Sequence, residues 1–205
     1  MRIIKIISYA CLLFFFVFFS RAISHSDLNK KYFQAGVLID KNRYDKAIIL
    51  YKEILRESSN LDNHKISRIY NNIGYSYYKL NDLDSALNYY KQALKIDDNY
   101  VVCLNNVAVV FLNQKKYTES LTYLSQAYTQ NVNNIKVSFN LFVAHANLKN
   151  REYAKLYLER AFRIDKDYTI KRLKSNGLTD RQIKKIQNNL NTLLEDTKKV
   201  LLLTH

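Results

Sequence analysis

Four histidines and two cysteines are the residues best suited to chemistry, and their spacing builds none of the usual constellations. His25, His64, His145 and His205 share no HxxxH or HExxH spacing, so no pair of imidazoles is set on one helical face as a zinc site requires. His145 falls on an apolar helical stripe, where a lone imidazole is a packing residue. Cys103 has no resolving thiol beside it, because Cys11 lies in an apolar N-terminal run. If that run is removed, one thiol remains and no intramolecular disulfide can form. With 3 Gly in the chain there is no glycine-rich phosphate loop, and the acidic residues are scattered along solvated helical positions. The expectation is therefore a non-enzyme with no catalytic residue, no metal and no cofactor.

The remaining candidates are amides, aromatic rings and cations, which bind rather than react. The chain holds 17 Tyr, no Pro and no Trp. So few turn residues exclude a turn-dense β-sandwich and fit an almost wholly helical chain. Its formal charge is +14, from 32 Lys+Arg against 18 Asp+Glu. Residues 62–100 are neutral, whereas 101–168 carry 9 basic against 5 acidic residues and 169–205 carry 8 against 3. Such an excess suits anionic lipid, an acidic protein or nucleic acid.

The N-terminus removes nucleic acid from that set. Arg2 and Lys5 precede the run IISYACLLFFFVFF (6–19), and Ser20, Ala22 and Ser24 follow it. A basic start, a short apolar run and small residues at the exit are the layout of a secretory signal. As a helix, 14 residues extend roughly 21 Å, short of a ~30 Å hydrocarbon core. Lys5 and Arg21 could snorkel and stretch the run into an anchor. Residues 1–24 are thus a signal peptide or an N-terminal membrane anchor. The protein is expected to be exported, periplasmic or held on the outward face of a bacterial cytoplasmic membrane.

Self-comparison shows what the rest of the chain is for. RYDKAIILYKEIL (43–55), DLDSALNYYKQAL (82–94), KYTESLTYLSQAY (116–128) and NREYAKLYLERAF (150–162) align. Ala47, Ala86, Ser120 and Ala154 are their equivalent small residues, the last three at intervals of 34. Upstream of each is a second amphipathic stretch, clearest in Tyr70, Ile73, Gly74 and Tyr77. The pattern resembles the tetratricopeptide repeat family, whose 34-residue unit reads W-x2-L-G-x2-Y, then A-x3-F, then P. The units are 28–61, 67–100, 101–134 and 135–168. The residues DNHKI (62–66) are extra and are expected to lengthen the first helix of the second unit. The family's late Pro is replaced by Ser59, Asp98, Val132 and Lys166, so Asp, Asn and Ser must make those turns. Phe142 stands where the other units have Ala35, Gly74 and Ala108.

The resemblance implies an inner groove lined by the first helix of each unit. The corresponding positions hold Asn71, Asn72, Tyr75, Tyr78 and Lys79; then Asn105, Asn106, Val109 and Asn113; then Lys136, Phe139, Asn140, Val143 and Asn147. An Asn amide both donates and accepts, so Asn72, Asn106 and Asn140 could pair with an extended peptide. Tyr75, Tyr78 and Phe139 could anchor its side chains. The family's clamp for acidic chaperone tails is not reproduced. Asn106 and Lys136 match it, but Asn71, Tyr75 and Asn140 replace the other three residues.

Residues 169–205 leave the repeat. Asn176-Gly177 reads as a helix stop, and Thr179 with Gln182 as a capping box for a helix from Asp180. Its stripe of Ile183, Ile186, Leu190, Leu193 and Val200 suits a cover over the last hairpin or a seam for self-association. The expected fold is an all-α tetratricopeptide-type α-solenoid of four helical hairpins plus a C-terminal capping helix. The expected function is a protein–protein interaction scaffold that holds a peptide or subunit for envelope assembly. A membrane-surface adaptor docking through the basic C-terminal half, or an accessory factor of a cell-wall hydrolase, are the alternatives. Export predicts that the mature chain begins near Ile23 or His25. N-terminal sequencing of protein taken from cells checks this: an intact Met1 selects the anchor, and recovery from the cytosol overturns both.

Overall fold

In the computed structural model, residues 27–57 and 61–190 are described, and among them every regular element is helical. The helices are α1 (27–40), α2 (Tyr44–Glu57), α3 (Asn63–Lys79), α4 (Leu83–Ile96), α5 (Val101–Asn113), α6 (Tyr117–Gln130), α7 (Ile135–Asn147), α8 (Arg151–Ile164), α9 (Lys166–Ser175) and α10 (180–190). The signal or anchor at 1–24 and the distal stripe residues Leu193 and Val200 lie outside the described residues. No helix among the described residues is long and apolar enough to cross a membrane. Two compact units meet inside α5, one ending at Cys103 and the other starting at Leu104.

The first unit contains the hairpins α1–α2 and α3–α4. Ala35, Ala47, Tyr51, Ile54, Ile69 and Ile73 form one buried cluster, with Tyr32, Leu38 and Tyr77 packed against it. Asp62 caps α3 by accepting from the Lys65 amide at 2.7 Å. The five extra residues are used here: α3 has 17 residues where α5 and α7 have 13, one turn more. Gly74 marks the crossing with α4. A Cβ there would lie 2.7 and 2.8 Å from ring atoms of Tyr90 and 3.1 Å from the Ala86 carbonyl oxygen. The Tyr90 ring is almost wholly buried, and the Cys103 thiol donates to its carbonyl at 3.4 Å.

The second unit contains α5–α6 and α7–α8, followed by α9 and α10. Ser120 fits against α5 by donating its hydroxyl to the Ala108 carbonyl at 3.0 Å. Phe139, Leu158, Ala161, Leu173, Ile183 and Leu190 form a buried cluster. The stripe of α10, over its described part, thus covers the last hairpin. The capping box is present, with the Thr179 amide donating to Gln182 Oε1 at 2.9 Å and the Gln182 amide to Thr179 Oγ1 at 3.4 Å.

The turns repeat with the hairpins. Asn42, Asn81, Lys115 and Lys149 have φ of 57, 64, 59 and 60°, in the left-handed region where non-glycine residues are uncommon. The next residue closes each turn: Arg43, Asp82, Lys116 and Asn150 donate to the carbonyls of Leu38, Tyr77, Phe111 and His145 at 2.8 to 3.0 Å. The turns between hairpins use Asx geometry in place of Pro. Asp97 and Asn131 each accept from the amide two residues on, at 3.2 and 3.1 Å. Asp165, at the same place in the next repeat, instead accepts from the amide of Tyr168, three residues on, at 2.9 Å. That is N-cap geometry. It starts α9 at Lys166, ahead of the boundary drawn at 168, and takes the chain out of the repeat.

Gly74→Ala gains helix propensity of about 1 kcal/mol but forces the Tyr90 ring aside, which costs roughly 1–3 kcal/mol. The variant should be destabilised in a denaturant melt, and less so in a Tyr90→Leu background. Equal stability of Gly74→Ala and the parent would show that the crossing is not tight.

Candidate functional site

The first helix of each hairpin carries the predicted binding residues, and burial divides them. In the first unit, Asn71 is 4% exposed and its amide reaches Asn72 Oδ1 at 3.4 Å. Asn72 is half-buried and donates Nδ2 to the Tyr51 hydroxyl at 3.0 Å. Burial, chiefly, pushes the Tyr51 phenol up to about 12, so it stays neutral and keeps both donor and acceptor capacity. Tyr75 and Tyr78 stay half-buried with ring centroids 6.5 Å apart, and Lys79 is exposed. Tyr44 joins them. Its ring meets Tyr75 edge-on at 6.4 Å, Lys79 Nζ lies 5.9 Å from its centroid, and its hydroxyl donates to Asn42 Oδ1 at 2.5 Å. Tyr44 itself is buried and backs the half-buried Tyr75 and Tyr78, so the first unit presents these two rings to its surface. Sequence reading missed Tyr44 because it opens a second helix. Its place directly after the left-handed turn was the available signal.

In the second unit, three of the predicted residues are packing residues. Asn140 on α7 donates Nδ2 to Asn105 Oδ1 on α5 at 2.9 Å, and both are buried. Phe139 is fully buried. Its ring lies 5.5 Å from Phe142 and 6.4 Å from Tyr168, and the Arg172 guanidinium sits 5.4 Å from its centroid. With Asn71 these make four corrections. Asn71, Asn105 and Asn140 face packed helices, and Phe139 is covered by α9 and α10, so none offers a surface to a peptide. Asn106 is half-buried, while Asn113, Lys136 and Asn147 are exposed. Asn147 donates to the Val143 carbonyl of its own helix at 2.8 Å.

His145 is half-buried, not a core residue. It stacks on Tyr153 and Tyr157 at 5.0 and 5.5 Å, and loss of solvation lowers its pKa. Phe142 lines a pocket of about 270 Å³ with Leu173 and Leu178. The Ala154 partner position keeps 8% exposure, where Ala47, Ala86 and Ser120 have none. Burial pushes the Cys103 thiol well above its ordinary range, which suppresses the nucleophilic thiolate. Among the described residues no group of three or more His, Cys, Asp or Glu is placed to hold a metal.

Small-residue crossings, left-handed turns of which the last three are 34 residues apart, and a covering C-terminal segment define a helical-repeat protein. Two tetratricopeptide repeat family models match, over residues 27–99 and 71–134, and the chain belongs to the tetratricopeptide repeat family, as an all-α solenoid. Stacked helical repeats of this kind form extended surfaces that such proteins use for binding. Uncharacterized protein ycf37 of Pyropia yezoensis is 36% identical over 104 residues, 49% of this chain and 58% of that protein. The chain spans about half the length of the curated relatives it matches. Among solved structures, YrrB, described as a TPR protein with an unusual peptide-binding site, superposes with a TM-score of 0.58 at 21% identity over 74% of this chain and 75% of that one. MamA from Desulfovibrio magneticus RS-1 gives 0.61 at 14% identity over 82% and 96%. At these identities the likeness is one of fold.

The burial pattern makes a direct prediction. Asn140→Ala leaves the buried Asn105 carbonyl oxygen without its donor and should cost about 1–3 kcal/mol. Asn147→Ala, on exposed backbone-satisfied surface, should stay within about 0.5 kcal/mol. Paired thermal melts check this, and equal effects would mean that Asn140 faces solvent.

Proposed function

We propose that this chain is a non-catalytic scaffold that binds a peptide or protein subunit through the first-helix faces of its hairpins. The observation that carries this reading is the Tyr75–Tyr78 pair. Two large rings keep exposed area on α3, with Lys79 at their edge, where a packed core would have hidden them. Tyrosine supplies wide contact area at low entropic cost, and such residues dominate binding energy. The likeness of fold to YrrB, a TPR protein with a peptide-binding site, supports the same use. In the second unit Asn106, Asn113, Lys136 and Asn147 are the surface-facing polar residues of the corresponding helices. The binder would be exported or held at a membrane by residues 1–24, in the service of envelope assembly.

The second reading is a membrane-surface adaptor. Lys171, Arg181, Lys184 and Lys185 are all exposed on α9 and α10, and a basic end of this kind attracts anionic lipid. Peptides selected by phage display on the full chain separate the two. Binding through the first-helix face of α3 should weaken about tenfold or more in Tyr78→Ala, both at low and at high salt. Replacing Lys184 and Lys185 by Gln should change little. No effect of Tyr78→Ala on peptide binding, together with loss of flotation on anionic vesicles in the lysine variant, would replace the scaffold reading with the surface reading.

A further inference from the structure

The second unit carries a recess that shares no residue with the first-helix faces. Leu156 on α8 is 52% exposed. Together with Ile164, Arg160 and Arg163 it lines a pocket of about 430 Å³ beside Asn133. A neighbouring pocket of about 380 Å³ shares Arg163 and Glu159 with the first and continues along Phe162 and Leu190, adding Lys166 and Lys184. Among the described residues, the lining brings four cations and one carboxylate around an apolar floor. Arg160 is held in place: its Nε donates to the Val132 carbonyl at 3.0 Å and its guanidinium lies 5.2 Å from the Tyr128 ring centroid. A guanidinium so fixed is set for a carboxylate at little further entropic cost. Glu159 stands in the wall that the two pockets share.

We infer that these adjoining pockets are a docking site for an acidic protein segment whose apolar side chains enter the two concavities. Carboxylates of the segment would pair with Arg160, Arg163, Lys166 and Lys184. Charge complementarity selects an acidic partner. Concavity favours a peptide over a bilayer, because apolar side chains of a segment can fill two adjoining recesses that the flat face of a bilayer would leave open. The site is independent of the tyrosine surface on α3, so the two can fail separately.

A short fluorescein-labelled peptide alternating Leu and Asp serves as the probe, titrated by anisotropy against the full chain in uncharged detergent. Arg163→Glu should weaken binding about tenfold or more, and Arg163→Gln should weaken it less. Lys91→Glu, an equal change of net charge on exposed α4, should leave it within about twofold. Tyr78→Ala should have no effect. The proposal is overturned if the peptide does not bind, or if Lys91→Glu matches Arg163→Glu, which would make the attraction one of net charge. It is also overturned if Tyr78→Ala abolishes binding while Arg163→Glu does not, which would place the peptide on α3. Flotation with phosphatidylserine-containing vesicles tests the lipid source. If Arg163→Glu abolishes flotation and leaves peptide binding intact, the recess is a membrane contact and the proposal fails.

Discussion

The close approach of two helix backbones inside each hairpin is the constraint on which the other features rest. Gly74 lies against the Tyr90 ring and the Ala86 carbonyl with no room for a methyl group. Ala108 and Ser120 meet closely enough for a hydroxyl to reach a carbonyl across the crossing. A small residue on each helix brings the axes together, and large residues one turn away, such as Tyr51, Tyr90 and Leu124, then fill the flanking space. Interiors packed to this density tolerate little change in volume. The fourth hairpin departs from the rule at Phe142, and its Ala154, though buried, keeps 8% exposure where its counterparts have none. That hairpin is the one that receives α9 and α10.

Ending the stack needs a local change, and Asp165 provides it. Asp97, Asn131 and Asp165 occupy one place in the repeat, all in extended backbone with their amides donating to Ala93, Ala127 and Ala161. The first two make a turn that delays the next helix. Asp165 caps the third amide beyond it, so α9 starts at once. Leu173 on α9 and Ile183 on α10 then reach Phe139 and Leu158 and cover the apolar face that a further repeat would have covered. A hairpin stack leaves such a face open at its end, and some segment must close it.

The repeat was legible because its signals are local: small residues at one interval, apolar stripes at helical spacing, and an Asx at each junction. The longer α3 was legible for the same reason, as five residues out of phase. The binding face was legible only in part. Helical spacing places Tyr75, Asn105 and Phe139 on equivalent faces, but it does not show what lies opposite. Phe139 is covered by Leu173 and Tyr168, more than 25 residues later in sequence. Asn140 finds its partner in Asn105 across a helix pair. Tyr44 is placed against Tyr75 by the turn at Asn42, which helical spacing does not show.

Asn and Tyr do two jobs here, and that limits the surface left for recognition. A buried polar atom without a partner is costly, so the amides of Asn72 and Asn140 and the hydroxyl of Tyr51 find their partners inside the packing. Burial keeps Tyr51 neutral, with its phenol pushed up to about 12. Its contribution is therefore complete below about pH 10, the ordinary phenol value, and is lost as the pH rises through its folded value. The residues that remain outward differ between the two units. The first keeps aromatic rings with a cation at their edge, suited to side-chain contact that salt does not weaken. The second keeps exposed amides on α5 and α7 and a cationic recess on α8 and α10, where affinity would fall as salt rises. Packing demands thus leave half-buried tyrosine rings outward on α3 of the first unit and exposed cations along α8 to α10 of the second.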